Sequence, residues 1–201
     1  MTRKAAPNDA PRVVIFAGPN GAGKSTHADA ILQAMGIGTF VNADYIARGL
    51  AGANTETVNL AAGRIMLRRL HALAQQRQDF AFETTLSSRT FAPFLRRLKA
   101  QGYRVVIFYF WLRSAQLAVR RVKHRVALGG HHVPADAVKR RYGRSRANFI
   151  ALYAPLADEW VVYDNSLAGQ AQRVAHRQGD RLTVKDPETW QQLNANSNPR
   201  P

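Results

Sequence analysis

The chain has 201 residues, of which 46% are hydrophobic, so it is long enough for one folded domain and too apolar for an extensively disordered protein. It contains no cysteine, which excludes disulfide bonds, thiolate metal sites and a cysteine nucleophile. Its 29 Lys and Arg against 13 Asp and Glu give a net charge of +16, which favours anionic ligands such as nucleotides, nucleic acids or anionic lipids.

The amino-terminal segment, residues 1–11, has a basic start but no apolar stretch of the kind found in signal peptides. No apolar run in the sequence approaches the ~20 residues that cross a bilayer. We therefore expect a disordered lead at 1–11, no membrane partner and a cytoplasmic location.

A glycine-rich turn follows the first predicted strand, Arg12–Ala17. The turn and the two residues after it have the sequence GPNGAGKS, which matches the pattern G-x-x-x-x-G-K-[S/T] of a P-loop. An amphipathic helix is predicted from the lysine of this motif, at Lys24–Met35. The backbone N–H groups of such a turn and the helix N-terminus hold a polyphosphate. We expect Lys24 to reach the β- and γ-phosphates of a nucleoside triphosphate and Ser25 to bind Mg²⁺. The predicted nucleotide-binding residues are Gly18, Pro19, Asn20, Gly21, Ala22, Gly23, Lys24, Ser25 and Thr26.

Acidic residues follow the next two predicted strands. Asp44 comes just after the strand Thr39–Val41. Glu83 and Thr85 come after the strand Phe80–Phe82. Because parallel strands place their ligands at the carboxyl edge of the sheet, these side chains are expected beside the P-loop. Asp44 accepts a proton from a substrate hydroxyl or holds a water on the metal, or else it caps the following helix. Glu83 orients water on the metal, holds a substrate hydroxyl, or is a solvated strand end.

Strands and helices alternate along the rest of the chain. Helices are predicted at 54–78 and 90–102, buried strands at 103–112 and 158–166, a β-hairpin within 171–186 and a short helix at 187–194. This alternation predicts an α/β fold, a P-loop NTPase-type three-layer sandwich with a mostly parallel five-stranded sheet, helices on both faces and a C-terminal β-hairpin. We expect a single domain at 12–190 and a flexible tail at 191–201.

The segment 113–146 is rich in arginine and lysine and contains one acidic residue, Asp136. Its apolar spacing predicts an amphipathic helix that ends at Gly129–Gly130, followed by a second helix. Two basic helices around a Gly-Gly hinge are typical of a lid whose guanidinium groups close over a transferring phosphate. The alternatives are a solvated basic surface and a nucleic-acid contact, although no aromatic ladder is interleaved with the arginines. We expect His131 and His132 to contribute to the hinge or to touch substrate rather than bind a metal, because no further ligand has a suitable spacing.

Five motifs together resemble the zeta toxin family of P-loop kinases, in its short single-domain branch. They are GPNGAGKST, VNADYIA, FETTL, RVKHRVALGGHHVP and RRYGRS followed by NF, and the resemblance runs from about Val13 to Ser166. It implies an ATP-dependent kinase that phosphorylates a sugar hydroxyl, with ATP and Mg²⁺ as cofactors. In the best-known members the acceptor is a UDP-N-acetylhexosamine, which is phosphorylated at the 3′-hydroxyl of the sugar.

The resemblance also implies roles for residues at matching positions. Lys24 and Ser25 correspond to the phosphate and Mg²⁺ residues. Asp44 corresponds to the family's general base. Glu83 and Thr85 correspond to residues that contact the substrate.

The family's lid arginines match this chain less closely. The first maps near Arg120 or Arg121. The second maps near His131, where this chain offers histidine or draws on Arg140 or Arg141. The catalytic candidates are therefore Asp44, Lys24, Arg120 and Arg121, and the substrate-binding candidates are Asp44, Glu83, Thr85, Arg89, His131 and Arg140.

The function expected from these observations is ATP-dependent phosphotransfer to a phosphorylated small-molecule acceptor, with an antitoxin protein as a candidate partner. The alternative is a nucleic-acid-binding ATPase or a kinase of polynucleotide ends, since the net charge of +16 suits either. A nucleotide-binding module without activity is disfavoured because Lys24 and Ser25 are both present.

Overall fold

The computed structural model describes residues 10–50, 56–130, 132–167 and 170–195, and strands and helices alternate within these ranges. The strands are β1 Arg12–Ala17, β2 Phe40–Val41, β3 Phe80–Thr84, β4 Arg104–Trp111, β5 Glu159–Asp164, β6 Gln172–Gln178 and β7 Arg181–Val184. The helices are α1 Lys24–Met35, α2 Ala43–Leu50, α3 Glu56–Gln75, α4 Phe91–Ala100, α5 Ala115–Ala127, α6 Ala135–Asn148, α7 Ala154–Leu156 and α8 Pro187–Asn194. A π-helical turn, Phe149–Tyr153, joins α6 to α7.

These strands form one sheet in the order β2-β3-β1-β4-β5-β6-β7. The first five strands in chain order are parallel, and β1 lies between β3 and β4. β6 pairs antiparallel with β5, and β7 pairs antiparallel with β6. The predicted mostly parallel α/β sheet is confirmed. The predicted C-terminal hairpin extends this same sheet to seven strands and does not form a separate unit.

Helices cover both faces of the sheet, which gives the predicted three layers. On one face α3, α4 and α8 contribute to a core cluster that contains Val13 and Ile15 of β1. On the other face α1, α5 and α6 contribute to a second cluster that contains Val14 and Phe16. Successive side chains of a strand point to opposite faces, so the continuous apolar run of β1 contributes to both cores. The strand that leads into the P-loop is therefore fully enclosed.

The arginine-rich segment forms two helices, as predicted, and Gly129–Gly130 closes the end of the first. Gly129 has a φ of 80°, and its N–H donates to Val126 O at 2.9 Å. The N–H of Gly130 donates to Arg125 O at 2.9 Å. These bonds close the carboxyl end of α5 in the manner of a glycine cap. Ala118 of α5 is fully buried and α6 also packs in the core, so the predicted lid lies against the sheet in this structure. Its opening about Gly129–Gly130 stays a prediction.

The packed part of the chain continues past residue 190, where the domain was predicted to end. α8 runs to Asn194, and Leu193 is buried in the core. The ring of Trp190 stacks on that of Trp160, with ring centroids 5.4 Å apart. The predicted flexible tail at 191–201 therefore begins too early, because its first residues belong to this helix. The rest of that tail and residues 1–9 of the predicted lead lie outside the described residues.

Candidate active site

The P-loop is the turn between β1 and α1, at the carboxyl edge of the sheet. Gly18 and Gly21 have φ values of 138° and 76°, which residues with a Cβ rarely adopt. Gly18 also has no room for a side chain, since a Cβ would lie 2.2 Å from the carbonyl oxygen of Phe110. Glycine at these positions allows the backbone to curl in front of the helix N-terminus, where a polyphosphate binds.

Lys24, the first residue of α1, is only 6% exposed although it carries a charge. Its Nζ donates to the carbonyl oxygen of Pro19 at 3.1 Å and lies 3.5 Å from Oε1 of Glu83. A buried ammonium needs such partners, because removing an unpaired charge from water is costly. The P-loop and β3 together therefore hold the ammonium beside the phosphate-binding turn.

Glu83, near the carboxyl end of β3, faces the P-loop. Its Oε2 accepts hydrogen bonds from Ser25 Oγ at 2.6 Å and from Asn42 Nδ2 at 3.1 Å. The parallel pairing of β3 with β1 produces this contact, since Glu83 is in register with Phe16. The side chain is 13% exposed. Of the alternatives that the sequence left open, a solvated strand end is excluded.

The pair of Ser25 and Glu83 fits Mg²⁺. A hydroxyl and a carboxylate oxygen are the hard ligands that Mg²⁺ prefers, and it usually completes its shell with water and substrate phosphates. Within the described residues, no group of three or more His, Asp or Glu side chains could hold a metal by itself. The donors present therefore suit a Mg²⁺ that arrives with a nucleotide, and Glu83 adds a carboxylate to the predicted ligand Ser25.

Asp44 is the second residue of α2, and Asn42 takes the capping role that the sequence left open for Asp44. The Oδ1 of Asn42 accepts a hydrogen bond from the backbone N–H of Asp44 at 2.8 Å. The Asp44 carboxylate does not cap the helix, and it is 41% exposed. Its Oδ2 lies 3.9 Å from Nη1 of Arg125. The carboxylate is therefore available for chemistry at the sheet edge.

Two cavities meet over this edge. The first, about 590 Å³, contains Ser25 and Thr26 and extends between α2 and α5; we call it the P-loop cavity. The second, about 460 Å³, lies over the ends of β2 and β3 and against α3; we call it the serine–threonine cavity. The residues that line both are Gly21, Lys24, Asn42, Asp44, Glu83 and Arg125. Molecules bound in the two cavities would therefore meet at these side chains.

The serine–threonine cavity takes its name from the loop between β3 and α4. The hydroxyl residues that line it are Thr84, Thr85, Ser87, Ser88 and Thr90. Arg64 of α3 and Arg141 of α6 also line this cavity. Guanidinium groups and hydroxyls together suit a polar ligand with phosphate or carboxylate groups.

The predicted lid arginines separate in the structure. Arg121 lines the P-loop cavity, and its Nη2 donates to the carbonyl oxygen of Ser166 at 3.1 Å. Arg125, which the sequence did not single out, lines both cavities. Arg120 is exposed and lines neither cavity. The helix period explains the difference, because residues four apart share a face of α5 whereas adjacent residues lie about 100° apart. The i, i+4 spacing of Arg121 and Arg125 was the signal in the sequence.

The remaining predicted substrate residues are also divided. Thr85 lines the serine–threonine cavity, whereas Arg89 and Arg140 are exposed and line neither cavity. Arg141 lines the serine–threonine cavity in place of Arg140, because adjacent residues of α6 point in different directions. His131 lies outside the described residues.

Asn165, just after β5, supports the P-loop in a way that the sequence did not predict. Its Nδ2 donates to the carbonyl oxygen of Ala22 at 2.9 Å. The same nitrogen lies against Gly23, where an added Cβ would approach it to 2.3 Å. The next residue, Ser166, accepts the hydrogen bond from Arg121. The end of β5 therefore fixes both the P-loop backbone and an arginine beside it.

Comparison with known proteins identifies the family. The model of the Zeta toxin family matches residues 1–168. The chain belongs to the zeta toxin family. This confirms the resemblance found in the motifs. A Haemophilus influenzae protein described as uncharacterized is 30% identical over 131 residues, which cover 65% of this chain and 92% of that protein.

Solved structures share the zeta toxin fold of this chain. A chain of the AvrRxo1-ORF1:-ORF2 complex with ATP superposes with a TM-score of 0.76 at 18% identity, covering 91% of this chain and 63% of that one. A chain of the PezAT toxin–antitoxin system of Streptococcus pneumoniae gives a TM-score of 0.63 at 15% identity, covering 96% and 81%. This protein thus spans less than two thirds of the AvrRxo1 chain. The family is the one that the motifs resemble, and the solved structures share the predicted fold.

No helix in the described ranges is long and apolar enough to cross a membrane.

Proposed function

We propose that this zeta toxin family member transfers the γ-phosphoryl group of ATP to a sugar hydroxyl of a small anionic acceptor. The observation that carries the proposal is that Lys24, Asp44 and Arg125 line both cavities. ATP in the P-loop cavity has its terminal phosphate beside them, and the acceptor approaches from the serine–threonine cavity. Direct phosphoryl transfer needs the two reacting oxygens in line at short distance, and a shared wall provides this.

Asp44 is the general base in this proposal. Its carboxylate accepts the proton of the acceptor hydroxyl while that oxygen forms the new bond to the γ-phosphorus, and ADP leaves with the oxygen that bridged its β-phosphate to that phosphorus. Asn42 supports this role, since it takes over the helix cap and fixes the backbone of Asp44. Arg125 lies beside the carboxylate and contributes positive charge to the transferring phosphoryl group.

Lys24, Ser25 and Glu83 hold the nucleotide side. Lys24 neutralises charge on the β- and γ-phosphates, and the P-loop backbone donates hydrogen bonds to them. Ser25 and Glu83 are the residues that would hold Mg²⁺, and the ion when bound supplies further positive charge to the phosphate oxygens. Glu83 is thereby proposed mainly as a ligand of Mg²⁺. It can touch the acceptor only where the two cavities meet.

The acceptor is proposed to carry phosphate groups. Arg64 and Arg141 line the serine–threonine cavity and suit a diphosphate, while Thr85 and Ser87 suit sugar hydroxyls. A UDP-N-acetylhexosamine, the acceptor that the family resemblance implies, combines both features. It is the first compound to test.

The test is a phosphorylation assay with γ-labelled ATP, Mg²⁺ and a panel of acceptors, with products identified by mass spectrometry. The panel contains UDP-N-acetylglucosamine, UDP-glucose, sugar phosphates, and RNA and DNA oligonucleotides with a 5′-hydroxyl. We expect a phosphorylated nucleotide sugar from the wild type. Asp44→Asn keeps the shape of the side chain and removes the base, so kcat should fall by about 10²- to 10⁴-fold.

The matched control is Asp180→Asn, in the turn between β6 and β7, which makes the same charge change near the opposite edge of the sheet. It should leave kcat within about twofold, since surface changes away from the site have small effects. Wild-type kcat in Asp44→Asn would exclude Asp44 as the base. A wild type that phosphorylates no panel member would overturn the proposed function.

The second candidate is a kinase of polynucleotide ends or a nucleic-acid-binding ATPase. It is favoured by the exposed basic residues Lys139, Arg140 and Arg144 on α6. Labelled oligonucleotide product would identify the first form. ATP hydrolysis stimulated by RNA or DNA, with affinity that falls steeply as salt rises and without phosphorylated product, would identify the second.

An antitoxin partner is also proposed, supported by family membership and by the toxin–antitoxin system to which the PezAT structure belongs. Induced expression of the wild type should arrest bacterial growth, whereas Asp44→Asn should not. Equal growth of cells expressing either protein would argue against a toxin that needs such a partner.

A further inference from the structure

The loop that lines the serine–threonine cavity contains a residue in a strained conformation. Leu86 has a φ of 52°, in the left-handed region that residues with a Cβ rarely adopt, and its side chain is 1% exposed. Such a conformation persists only where the surroundings hold it, and it occurs often at functional sites. Its two neighbours, Thr85 and Ser87, both line the cavity, with their hydroxyl oxygens 2.8 Å apart. The turn at Leu86 therefore shapes the cavity wall.

Two distant side chains hold this loop in place. Nδ2 of Asn148 donates to the carbonyl oxygen of Leu86 at 2.8 Å, across 62 positions of sequence. The hydroxyl of Tyr153 donates to the carbonyl oxygen of Ser88 at 2.6 Å, across 65 positions. Neither Asn148 nor Tyr153 lines either cavity. They can therefore act on a bound molecule only through the loop.

The π-helical turn Phe149–Tyr153 explains why both donors reach the same loop. In an α-helix, residues five positions apart lie about 140° apart around the axis, on different faces. A π-helix has i→i+5 hydrogen bonds and about 4.4 residues per turn, so the same spacing is reduced to about 50°. Asn148 and Tyr153 are five positions apart and therefore lie on one side of the chain. π-helical turns are frequent at functional sites.

The turn is itself fixed in the core. The ring of Phe149 stacks on that of Tyr109 with centroids 4.1 Å apart, and it packs edge-on against Trp160. Phe149 and Tyr153 are fully buried. Burial raises the pKa of the Tyr153 hydroxyl, so this group remains a protonated donor at neutral pH. The donors are thus rigidly attached to the central sheet.

We propose that Asn148 and Tyr153 are positioning residues for the acceptor site, because they hold Thr85 and Ser87 in the arrangement that binds the acceptor. This inference rests on the proposed kinase function, but it concerns the acceptor side alone. The P-loop takes its supporting contacts from other residues, Glu83 and Asn165.

Hydrogen–deuterium exchange of the full chain tests the positioning directly, without any need for activity. Asn148→Asp removes the donor and keeps the side-chain shape, and Tyr153→Phe removes only the hydroxyl. We expect amides of the peptide 84–90 to exchange about tenfold faster in either variant, as loss of one hydrogen bond allows. The P-loop peptide 18–26 should not change. Unchanged exchange at 84–90 in both variants, or equal acceleration across the chain, would overturn the proposal.

Asn194→Asp is the matched control. Nδ2 of Asn194 donates to the carbonyl oxygen of Trp190 at 2.6 Å, so the change removes the same kind of hydrogen bond in α8, away from both cavities. It should leave the exchange of 84–90 at the wild-type rate. Faster exchange of 84–90 in this control would mean that the effect is general and would count against the proposal.

Kinetics with ATP and UDP-N-acetylglucosamine give the second readout. We expect KM for the sugar nucleotide to rise about tenfold in Asn148→Asp, with KM for ATP unchanged within twofold. Equal increases in the two KM values would overturn the positioning role, since a merely destabilised protein would show no such split. If the wild type phosphorylates no acceptor, the proposed function fails. The exchange rates still decide whether Asn148 and Tyr153 hold the loop between β3 and α4 in place.

Discussion

Arg125 lies where the two cavities meet, with its guanidinium 3.9 Å from the Asp44 carboxylate. Arg121, one helical turn earlier, donates a hydrogen bond to the carbonyl oxygen of Ser166. It lines the P-loop cavity but not the serine–threonine cavity. A cation placed where donor and acceptor meet lies beside the transferring group, whereas a cation on the nucleotide side alone lies farther from it. We therefore propose that Arg125 stabilises the charge of the transition state and that Arg121 contacts the nucleotide.

Replacing Arg125 by alanine should lower kcat by about 10³-fold or more, the range found for arginines that stabilise phosphoryl transfer. Arg120→Ala removes the same charge from an exposed position of the same helix and should leave kcat within about twofold. The measurement is steady-state phosphorylation of UDP-N-acetylglucosamine, with circular dichroism to verify folding. Equal losses in the two variants would show that net charge, and not the position of Arg125, matters.

For single residues, the sequence predicted which kinds of side chain lie at the site better than which of two neighbouring positions supplies them. Asn42 and Asp44 both follow β2, and no local pattern tells which one caps α2, because the answer depends on where the backbone N–H of Asp44 points. Arg120 and Arg121 are adjacent, and only the orientation of α5 on the sheet separates the exposed side chain from the one at the site.

Among the elements, α8 is the clearest case of a helix with a defined start. The carboxylate of Asp186 accepts a hydrogen bond from the backbone N–H of Thr189 at 3.0 Å. Hydrogen bonds from the side chain of Thr189 and from its backbone N–H lower the pKa of Asp186 below its usual value of 3.8. Because the folded pKa is lowered, the stabilisation is present above the usual value and is lost as the pH falls through the folded pKa.

Asp186→Ala should therefore reduce the free energy of unfolding by about 1 kcal/mol at neutral pH, a typical contribution of an N-cap. The difference between wild type and variant should shrink in acid, once the carboxylate is protonated in the folded state. Urea unfolding at neutral and acidic pH measures both values. A difference that is constant across the pH range would show that the charge of Asp186 does not contribute.

Two features at the element scale escape prediction for a common reason. The pair Gly129–Gly130 has the composition of a hinge and of a helix cap, and only the folded chain shows the hydrogen bonds of the cap. The π-helical turn contains no proline or glycine, and Pro155, two residues after its end, is the one local signal beside it. It depends on Phe149 fitting between Tyr109 and Trp160, which are contacts between distant parts of the chain.

For the whole molecule, the alternation of strands and helices was sufficient to predict the parallel sheet and its ligand edge. The period-two and helical patterns are local, and the carboxyl ends of parallel strands must share one edge. The place of the hairpin was not predictable in the same way. β6 pairs with β5, and no local pattern in the sequence shows that β5 has a free edge to pair with. Helix α8 then packs on β5 through Trp190, which stacks on Trp160.

Leu193→Ala tests whether α8 belongs to the domain core. Loss of this buried side chain should lower the free energy of unfolding by about 2–5 kcal/mol, the usual cost of a cavity in a core. Leu182→Ala, at a side chain that is 48% exposed on β7, should change it by less than about 0.5 kcal/mol. Chemical denaturation measures both. Equal, small effects would show that α8 is not part of the cooperative unit.

The common direction of β1 to β5 has a practical consequence. All five point toward the edge that holds both cavities, so their amino ends define the far side of the molecule. Gln101, exposed between α4 and β4, lies on that far side, and the chain has no cysteine of its own. A cysteine introduced there would provide one thiol for coupling to a sensor chip or a dye, and both cavities would still face the buffer.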